Sequence, residues 1–284
     1  MAGAAPRPLD VPTPLVVPQG ALVRGQLPVP GRDLRLDGRP VTLLADGRFM
    51  LGIDRDAPPT ATLAWITNDG RNARWPVVVE AQPWQIDRLP ARLAAAPGPP
   101  DPVAEARRAA EVAAVRAARA EITPWPFWQA RAQLPADGRI SGVFGSQRIH
   151  GEVKANIHAG LDIAAPAGSP VKAPLPGIVR LAQGPLMLEG NLIIIDHGQG
   201  LSSAYLHLSR IDVKPGQIVR QGEVIGAIGT TGRSTGPHLH WALTWQDVRV
   251  NPASLFPPGT IVEETRAAYF ARLEAEKAAK ENAK

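Results

Sequence analysis

The chain of 284 residues holds six histidines, at positions 150, 158, 197, 207, 238 and 240, and no cysteine. Imidazole chemistry is therefore confined to one stretch of the C-terminal half. Two of the six stand as His238-Leu239-His240, where the strand period of two puts both rings on one face. Ala242 and Thr244 continue that face, and Leu239, Trp241, Leu243 and Trp245 make the opposite, apolar one. A third, His158, is followed four residues later by Asp162. A closely spaced pair of ligands plus a distant third is a common way to build a catalytic zinc site with an open position. Without thiolates, any metal must be held by imidazole and carboxylate, and disulfide scaffolds, iron–sulfur clusters and cysteine nucleophiles are excluded. Taken alone, His-x-x-x-Asp and His-x-His also suit ordinary loops and strands.

The elements that must position these residues are mainly β. From about Pro14 to Pro90, short β-type runs such as Val41-Thr42-Leu43-Leu44, Thr60 to Ile66 and Trp75 to Val79 alternate with Asp37-Gly38, Asp46-Gly47, Pro58-Pro59 and Asp69-Gly70. This punctuation predicts a small β-sandwich over residues 14–92, after a flexible N-terminus of residues 1–13. Ala95 to Pro102 is a linker by composition. Asp101 as N-cap and Pro102 at the first helical position then open an Ala-rich helix to about Ile122, roughly 31 Å long. Its apolar side, mostly Ala with Val103, Val112, Val115 and Ile122, predicts shallow docking and a role as spacer or strut. Pro124-Trp125-Pro126-Phe127-Trp128 closes the 93–133 segment, either to stack on sugars or peptides or to anchor the helix to the C-terminal domain. Strands resume over 134–258, at Gly177 to Leu181, Leu192 to Asp196, Ser202 to Leu208, Val224 to Ile228 and His238 to Trp245. Leu192-Ile193-Ile194-Ile195 is apolar without alternation and should be buried on both faces. Residues 259–284 read as a short helix with an apolar face of Val262, Tyr269, Phe270 and Leu273, then a fraying tail.

Further motifs join the histidines in order along the chain. They are Phe144-Gly145, His158-x-Gly160-x-Asp162, Ala165-Pro166-x-Gly168-x-Pro170-Val171, Gly190-Asn191, Asp196-His197-Gly198, Tyr205-x-His207 and Gly232-x-Ser234-Thr235-Gly236-Pro237-His238-Leu239-His240. On these, Ser141 to Pro252 resembles the M23 metallopeptidases, the lysostaphin and LytM-like group that cleaves peptidoglycan cross-links. More loosely, residues 14–92 resemble β-domains that precede this module in some Gram-negative envelope proteins.

The resemblance implies an antiparallel β catalytic domain with an open groove, over residues 134–258. It implies Zn2+ held by His158, Asp162 and His240, with His207 and His238 as catalytic groups that do not bind the metal; no position departs from the family pattern. Two neutral imidazoles and one carboxylate leave zinc near a net charge of +1, with room for a water whose pKa falls toward ~7. No His-Glu-x-x-His occurs, so the general base must be something other than its Glu, and histidine, titrating near ~6.5, can serve. His238, two residues from a ligand, is read as the base and His207 as the oxyanion partner or acid. Tyr205, on the same strand face as His207 by alternation, either assists it or packs at the groove edge. His197 is read as structural, His150 as a loop residue, and Arg233, Asn191 and Thr235 as candidates to line the groove.

The net charge of +5 is diffuse, with 11 basic against 9 acidic residues in 1–98 and 10 against 8 in 134–260. Nucleic-acid binding wants a concentrated basic stripe, so no nucleic-acid partner is expected. No apolar run approaches the roughly 20 residues that span a bilayer, and residues 1–18 have no signal-peptide h-region. The expectation is a periplasmic or cell-envelope protein whose leader has been removed and whose substrate is the stem peptides of peptidoglycan. The bond expected to be cut is D-Ala–diaminopimelate, with glycine bridges as the alternative. Two competing readings remain: a LytM-like regulatory module that activates an amidase or scaffolds division proteins, and an enzyme held inactive by its own N-terminal half.

Overall fold

Turn residues cut the N-terminal half into nine strands: β1 (Leu9–Asp10), β2 (Leu15–Pro18), β3 (Leu22–Gln26), β4 (Gly31–Leu36), β5 (Arg39–Pro40), β6 (Arg48–Gly52), β7 (Thr60–Thr67), β8 (Asn72–Glu80) and β9 (Ile86–Leu89). The computed structural model describes residues 8–90, 101–150, 152–154, 157–262, 264, 268, 271, 272, 274 and 275. Asp37 and Gly38 both take positive φ, 46° and 83°, the geometry of a two-residue turn that matches strand twist. They join β4 to β5. The sheet order is β1-β8-β7-β4-β5, with β2 also on β8, and β3 pairs with β6 apart from it. Leu22, Phe49 and Leu51 from the β3–β6 pair share a core with Leu63, Trp65 and Val77 from the larger sheet.

The helix comes next as α1 (Pro102–Arg119), capped by Asp101, whose side chain accepts from the amides of Val103 and Ala104. It stops three residues before the expected Ile122. Ala120 N–H already bonds back only three residues, to Ala117 O, and Pro124 lies just beyond. Phe127–Gln129 makes a 3-10 turn that buries Trp128, while Trp125 stacks on Phe127 with centroids 6.0 Å apart. Gly198, at φ +90°, leaves no room for a Cβ against the Trp125 carbonyl. The aromatic segment thus acts as an anchor.

Thirteen strands make the C-terminal half: β10 (Arg139–Gly142), β11 (Gln147–His150), β12 (Val153–Lys154), β13 (Leu161–Ala164), β14 (Pro170–Lys172), β15 (Gly177–Leu186), β16 (Gly190–Gly198), β17 (Leu201–Leu208), β18 (Arg210–Ile211), β19 (Ile218–Val219), β20 (Val224–Ala227), β21 (Leu239–Trp245) and β22 (Val248–Val250). The main sheet is antiparallel, ordered β10-β13-β21-β17-β16-β15-β19, with β22 added beside β21. Its central strand β16 is buried along both faces, as its unbroken apolar text requires. Ile193 and Ile195 enter the main core, and Leu192 and Ile194 form a second cluster with Ala204, against which Val115 and Ala118 of α1 pack.

Docking of α1 is more than the shallow contact its alanines suggest. Glu111, 8% exposed, accepts from the Met187 amide, and Arg108 grips Glu189 at 2.6 and 2.8 Å. Charge-assisted bonds of this kind hold a helix that has little apolar area to bury.

The N-terminal half packs against the C-terminal half at several places. Gly52 is pressed on Trp245 and Val250, the Asn251 amide donates to Gly20 O at 2.7 Å, and β9 runs parallel to β11. Arg55, also 8% exposed, donates from Nε to Gly145 O at 2.9 Å and lies 5.3 Å from the Trp84 ring centroid. Residues 1–7 of the expected flexible terminus, linker residues 91–100, and Tyr269, Phe270 and Leu273 lie outside the described residues; Val262 is exposed. Among the described residues, no helix is long and apolar enough to cross a membrane.

Candidate metal centre and groove

Strand pairing brings the separated ligand candidates together. β13 and β21 are antiparallel neighbours in a register that sets Asp162 directly opposite His240. His158 lies in the loop just before β13, and its ring reaches the same point. His158 Nε2, Asp162 Oδ1 and His240 Nδ1 lie 2.8–3.1 Å from one another. A tetrahedral Zn2+ with ligands at ~2.0–2.1 Å has edges of roughly 3.3 Å, so the three donors fit that ion in type and in spacing. They are also the group of candidate metal ligands found among the described residues.

Burial pulls the Asp162 carboxyl upward, yet the hydrogen bonds and charges from His158 and His240 prevail and hold it well below the usual carboxylate range. For His240 the sum runs the other way. Burial lowers it despite the Asp162 carboxylate, which favours the neutral imidazole that a metal requires.

Backbone carbonyls aim the rings. His158 donates from Nδ1 to Val143 O at 2.8 Å, His207 to Thr231 O at 2.9 Å and His238 to Gly236 O at 2.8 Å. Each bond holds Nδ1–H, so that in the neutral ring Nε2 carries the lone pair, the second-sphere arrangement that orients metal-site and catalytic imidazoles. His207 and His238 stand with centroids 4.9 Å apart, and His238 Nε2 is 3.9 Å from Asp162 Oδ1. Burial also lowers His207, against the opposing pull of its bond to Thr231. All five candidate residues open onto one groove of about 1040 Å3.

Alternation along β21 holds as expected, but along β17 it fails at the decisive residue. Tyr205 faces Trp241 across the pair and is fully buried, on the side away from the groove. Strict alternation would send His207 there too. Instead, Ile193 pairs with Tyr205 and Asn191 with Leu208, so two steps along β16 are matched by three along β17. His207 adopts φ +63° at this bulge and turns into the groove. Tyr205 therefore does not assist His207; its hydroxyl bonds to Ser203 Oγ at 2.7 Å, deep in the core.

His197, fully buried, joins that core chain by donating from Nδ1 to Pro176 O and accepting from Ser203 Oγ, both at 2.7 Å. Arg233 and Thr235 line the groove, whereas Asn191 is tied to Thr231 Oγ1 and Leu208 O and braces the loop that carries the His207 acceptor. The side chain of His150 lies outside the described set.

Sequence reasoning missed the groove wall supplied by α1. Arg108, Val112, Val115, Arg116 and Arg119 all line it, at intervals that fall on one helical stripe. Those intervals were legible, but a stripe of arginine and valine on an Ala-rich helix reads equally as a solvated face.

Comparison with known proteins agrees with this geometry. The model for peptidase family M23 matches residues 156–252. The DD-carboxypeptidase/endopeptidase Mpg of Neisseria meningitidis serogroup B is 40% identical over 136 residues, 47% of this chain and 31% of that protein. The peptidoglycan DD-endopeptidase ShyC of Vibrio cholerae is 39% identical over 123 residues, 42% of this chain and 28% of that protein. The chain thus spans less than a third of the length of these curated relatives. A solved structure from Pseudomonas aeruginosa, described as a peptidase M23, matches far more fully. It is 32% identical with a TM-score of 0.63, and the match covers 86% of this chain and 95% of that one. With likeness extending over nearly the whole of that chain, and with the metal-site residues inside the matched segment, this protein belongs to peptidase family M23.

Proposed function

We propose that the chain is a zinc-dependent endopeptidase that hydrolyses peptide cross-links of peptidoglycan in the cell envelope, with D-Ala–diaminopimelate as the bond cut. The observation that carries this reading is the convergence of His158, Asp162 and His240 within 2.8–3.1 Å, beside two further imidazoles aimed by backbone carbonyls. The names of Mpg and ShyC, a DD-carboxypeptidase/endopeptidase and a peptidoglycan DD-endopeptidase, support the choice of bond.

His158, Asp162 and His240 would hold the metal. When bound, zinc supplies Lewis-acid polarisation and makes a water more acidic. The remaining chemistry belongs to the side chains of this protein. His238 Nε2, the lone-pair nitrogen of the neutral ring whose Nδ1–H is held by Gly236 O, accepts the proton of the attacking water. His207, oriented in the same way by Thr231 O, serves as the acid or oxyanion partner once its Nε2 has also taken a proton from solvent, which it then passes to the leaving amine or shares with the developing oxyanion. The β17 bulge is what puts it within reach.

All five side chains are present and converge on one groove, an arrangement that a purely scaffolding module would not need. Incubation of purified chain and Zn2+ with cross-linked sacculi, and then mass spectrometry of the products, should show dimeric muropeptides converted to monomers. His240→Ala should abolish that conversion. Undiminished cleavage by this variant would end the metal assignment.

A further inference from the structure

The groove continues well past the metal centre. Along β21 the groove face runs His240, Ala242, Thr244, so Thr244 lies about 13 Å from His240 at ~3.3 Å per residue. Arg249 of β22 pairs directly across from Thr244 and therefore shares its face. From the other wall, the last turn of α1 brings Arg119 to the same end of the groove. Two guanidinium groups, a half-buried Arg119 and an exposed Arg249, thus line the groove close enough to repel each other, with Arg116 one turn earlier on the same helix stripe.

Among the described residues, neither guanidinium has an ordinary counter-charge. Arg119 Nε is buried and has no hydrogen-bond partner there. The acidic group nearest in influence, Glu189, is already engaged in two bonds to Arg108. Burial, and then the proximity of Arg249, lower Arg119 to about 10. An unpaired, partly desolvated cation facing a second cation is unfavourable unless an anion sits between them. Guanidinium is also the side chain best shaped for bidentate contact with a carboxylate.

We propose that Arg119 and Arg249 form a carboxylate-binding subsite that takes a free carboxylate of the stem peptide about 13 Å from the scissile bond. An extended stem reaches that far, since roughly nine to ten bonds separate the D-Ala carbonyl from the free carboxyl of D-glutamate or of diaminopimelate and every three bonds advance about 3.3–3.6 Å. The substrate class rests on the endopeptidase reading above; the anion site does not. In a stem peptide the carboxylate comes either from the α-carboxyl of D-glutamate or from the free carboxyl of diaminopimelate, and the two are separable by amidation. The subsite makes α1 a part of substrate recognition as well as a strut.

The test uses the full chain with Zn2+ and three cross-linked dimers: one with both carboxylates free, one amidated at D-glutamate and one amidated at diaminopimelate. For the unsubstituted protein, amidation at one of the two positions should raise KM by roughly 10- to 100-fold, the size of a lost charge-assisted contact, with kcat little changed. Arg119→Gln and Arg249→Gln should show the raised KM with the free dimer and no longer discriminate the amidated one. Arg119→Lys should recover part of the preference. Equal losses with free and amidated dimers, or an unchanged KM, would overturn the subsite. Calorimetric titration of the uncleavable stem tetrapeptide gives a readout without catalysis. Weaker binding by Arg119→Gln, alongside no cleavage of any dimer by the parent, would support the subsite and sink the endopeptidase reading. Unaltered peptide binding alongside normal cleavage would do the reverse.

Discussion

Acid should destabilise the fold through one histidine that takes no part in the groove. Burial lowers His197 to about 4 from its ordinary value of 6.5. The hydrogen bonds around it show why the neutral form is built in. Tyr205 O–H donates to Ser203 Oγ, Ser203 O–H donates to His197 Nε2, and His197 Nδ1–H donates to Pro176 O. A second proton on the ring would reverse the direction of that chain and leave the Tyr205 hydroxyl hydrogen without an acceptor. Since the folded pKa lies below the unfolded one, the unfolded chain binds more protons between the two values, and stability falls as pH drops from about 6.5 to about 4. The full shift from 6.5 to about 4 corresponds to ~3.4 kcal/mol at ~1.36 kcal/mol per pH unit. About 2 kcal/mol of it is already lost at a pH of roughly 5. The assay is urea unfolding of the parent and of His197→Gln from acid to neutral pH. Every other titrating group is common to the two proteins, so the difference between their curves isolates His197. His197→Gln should be less stable at neutral pH because the bonded chain is damaged, and its deficit should shrink by ~2 kcal/mol toward a pH of roughly 5. Parallel curves would refute the reasoning.

The same packing bears on three other perturbations. A Cβ on Gly160 would lie 2.7 Å from His240 Nε2 and 2.6 Å from Trp241 O, so Gly160→Ala must displace a ligand ring. Zinc affinity, read by chelator competition, should fall by about 10-fold or more, as expected when groups that orient metal ligands are disturbed. Arg55→Met removes the bond to Gly145 O, whose own amide donates to His158 O at 2.9 Å. It should cost about 1.5–3 kcal/mol in urea unfolding and weaken zinc binding as well. Saturating Zn2+ should stabilise the parent by about 4 kcal/mol at a thousandfold excess over Kd, and His240→Ala should lose most of that gain in a thermal scan.

Where side-chain period and local chemistry decided the outcome, the sequence was legible. The one-faced placement of His238 and His240, the two-sided burial of Leu192 to Ile195, and the Asp101-Pro102 helix start each derive from rules spanning a few residues. What was not legible depends on a single inserted residue or on a distant partner. Nothing in Ser203-Ala204-Tyr205-Leu206-His207 announces a bulge, and without it period two assigns His207 to the wrong face and Tyr205 to the wrong role. A positive φ at histidine is allowed, though uncommon, and costs little enough that the surrounding bonds can impose it. Those bonds include the His207 amide to Glu189 O at 2.8 Å, from a residue eighteen positions away.

Glu189 also links the two features that sequence reasoning missed. Its backbone carbonyl holds the bulge that turns His207 into the groove, and its carboxylate anchors Arg108 of α1 at 2.6 and 2.8 Å. The helix that walls the groove and His207, the proposed acid or oxyanion partner, are therefore positioned by the same residue. Loosening that anchor by Arg108→Ala would act on both. It should shift Arg119 away from Arg249, raising KM for carboxylate-bearing substrate, and relax the β17 bulge, lowering kcat. Arg119→Gln, which leaves the Arg108–Glu189 pair intact, should change KM alone. Steady-state kinetics on the two variants separate the cases. If Arg108→Ala changed KM without kcat, the helix would be coupled to the subsite but not to the catalytic histidine.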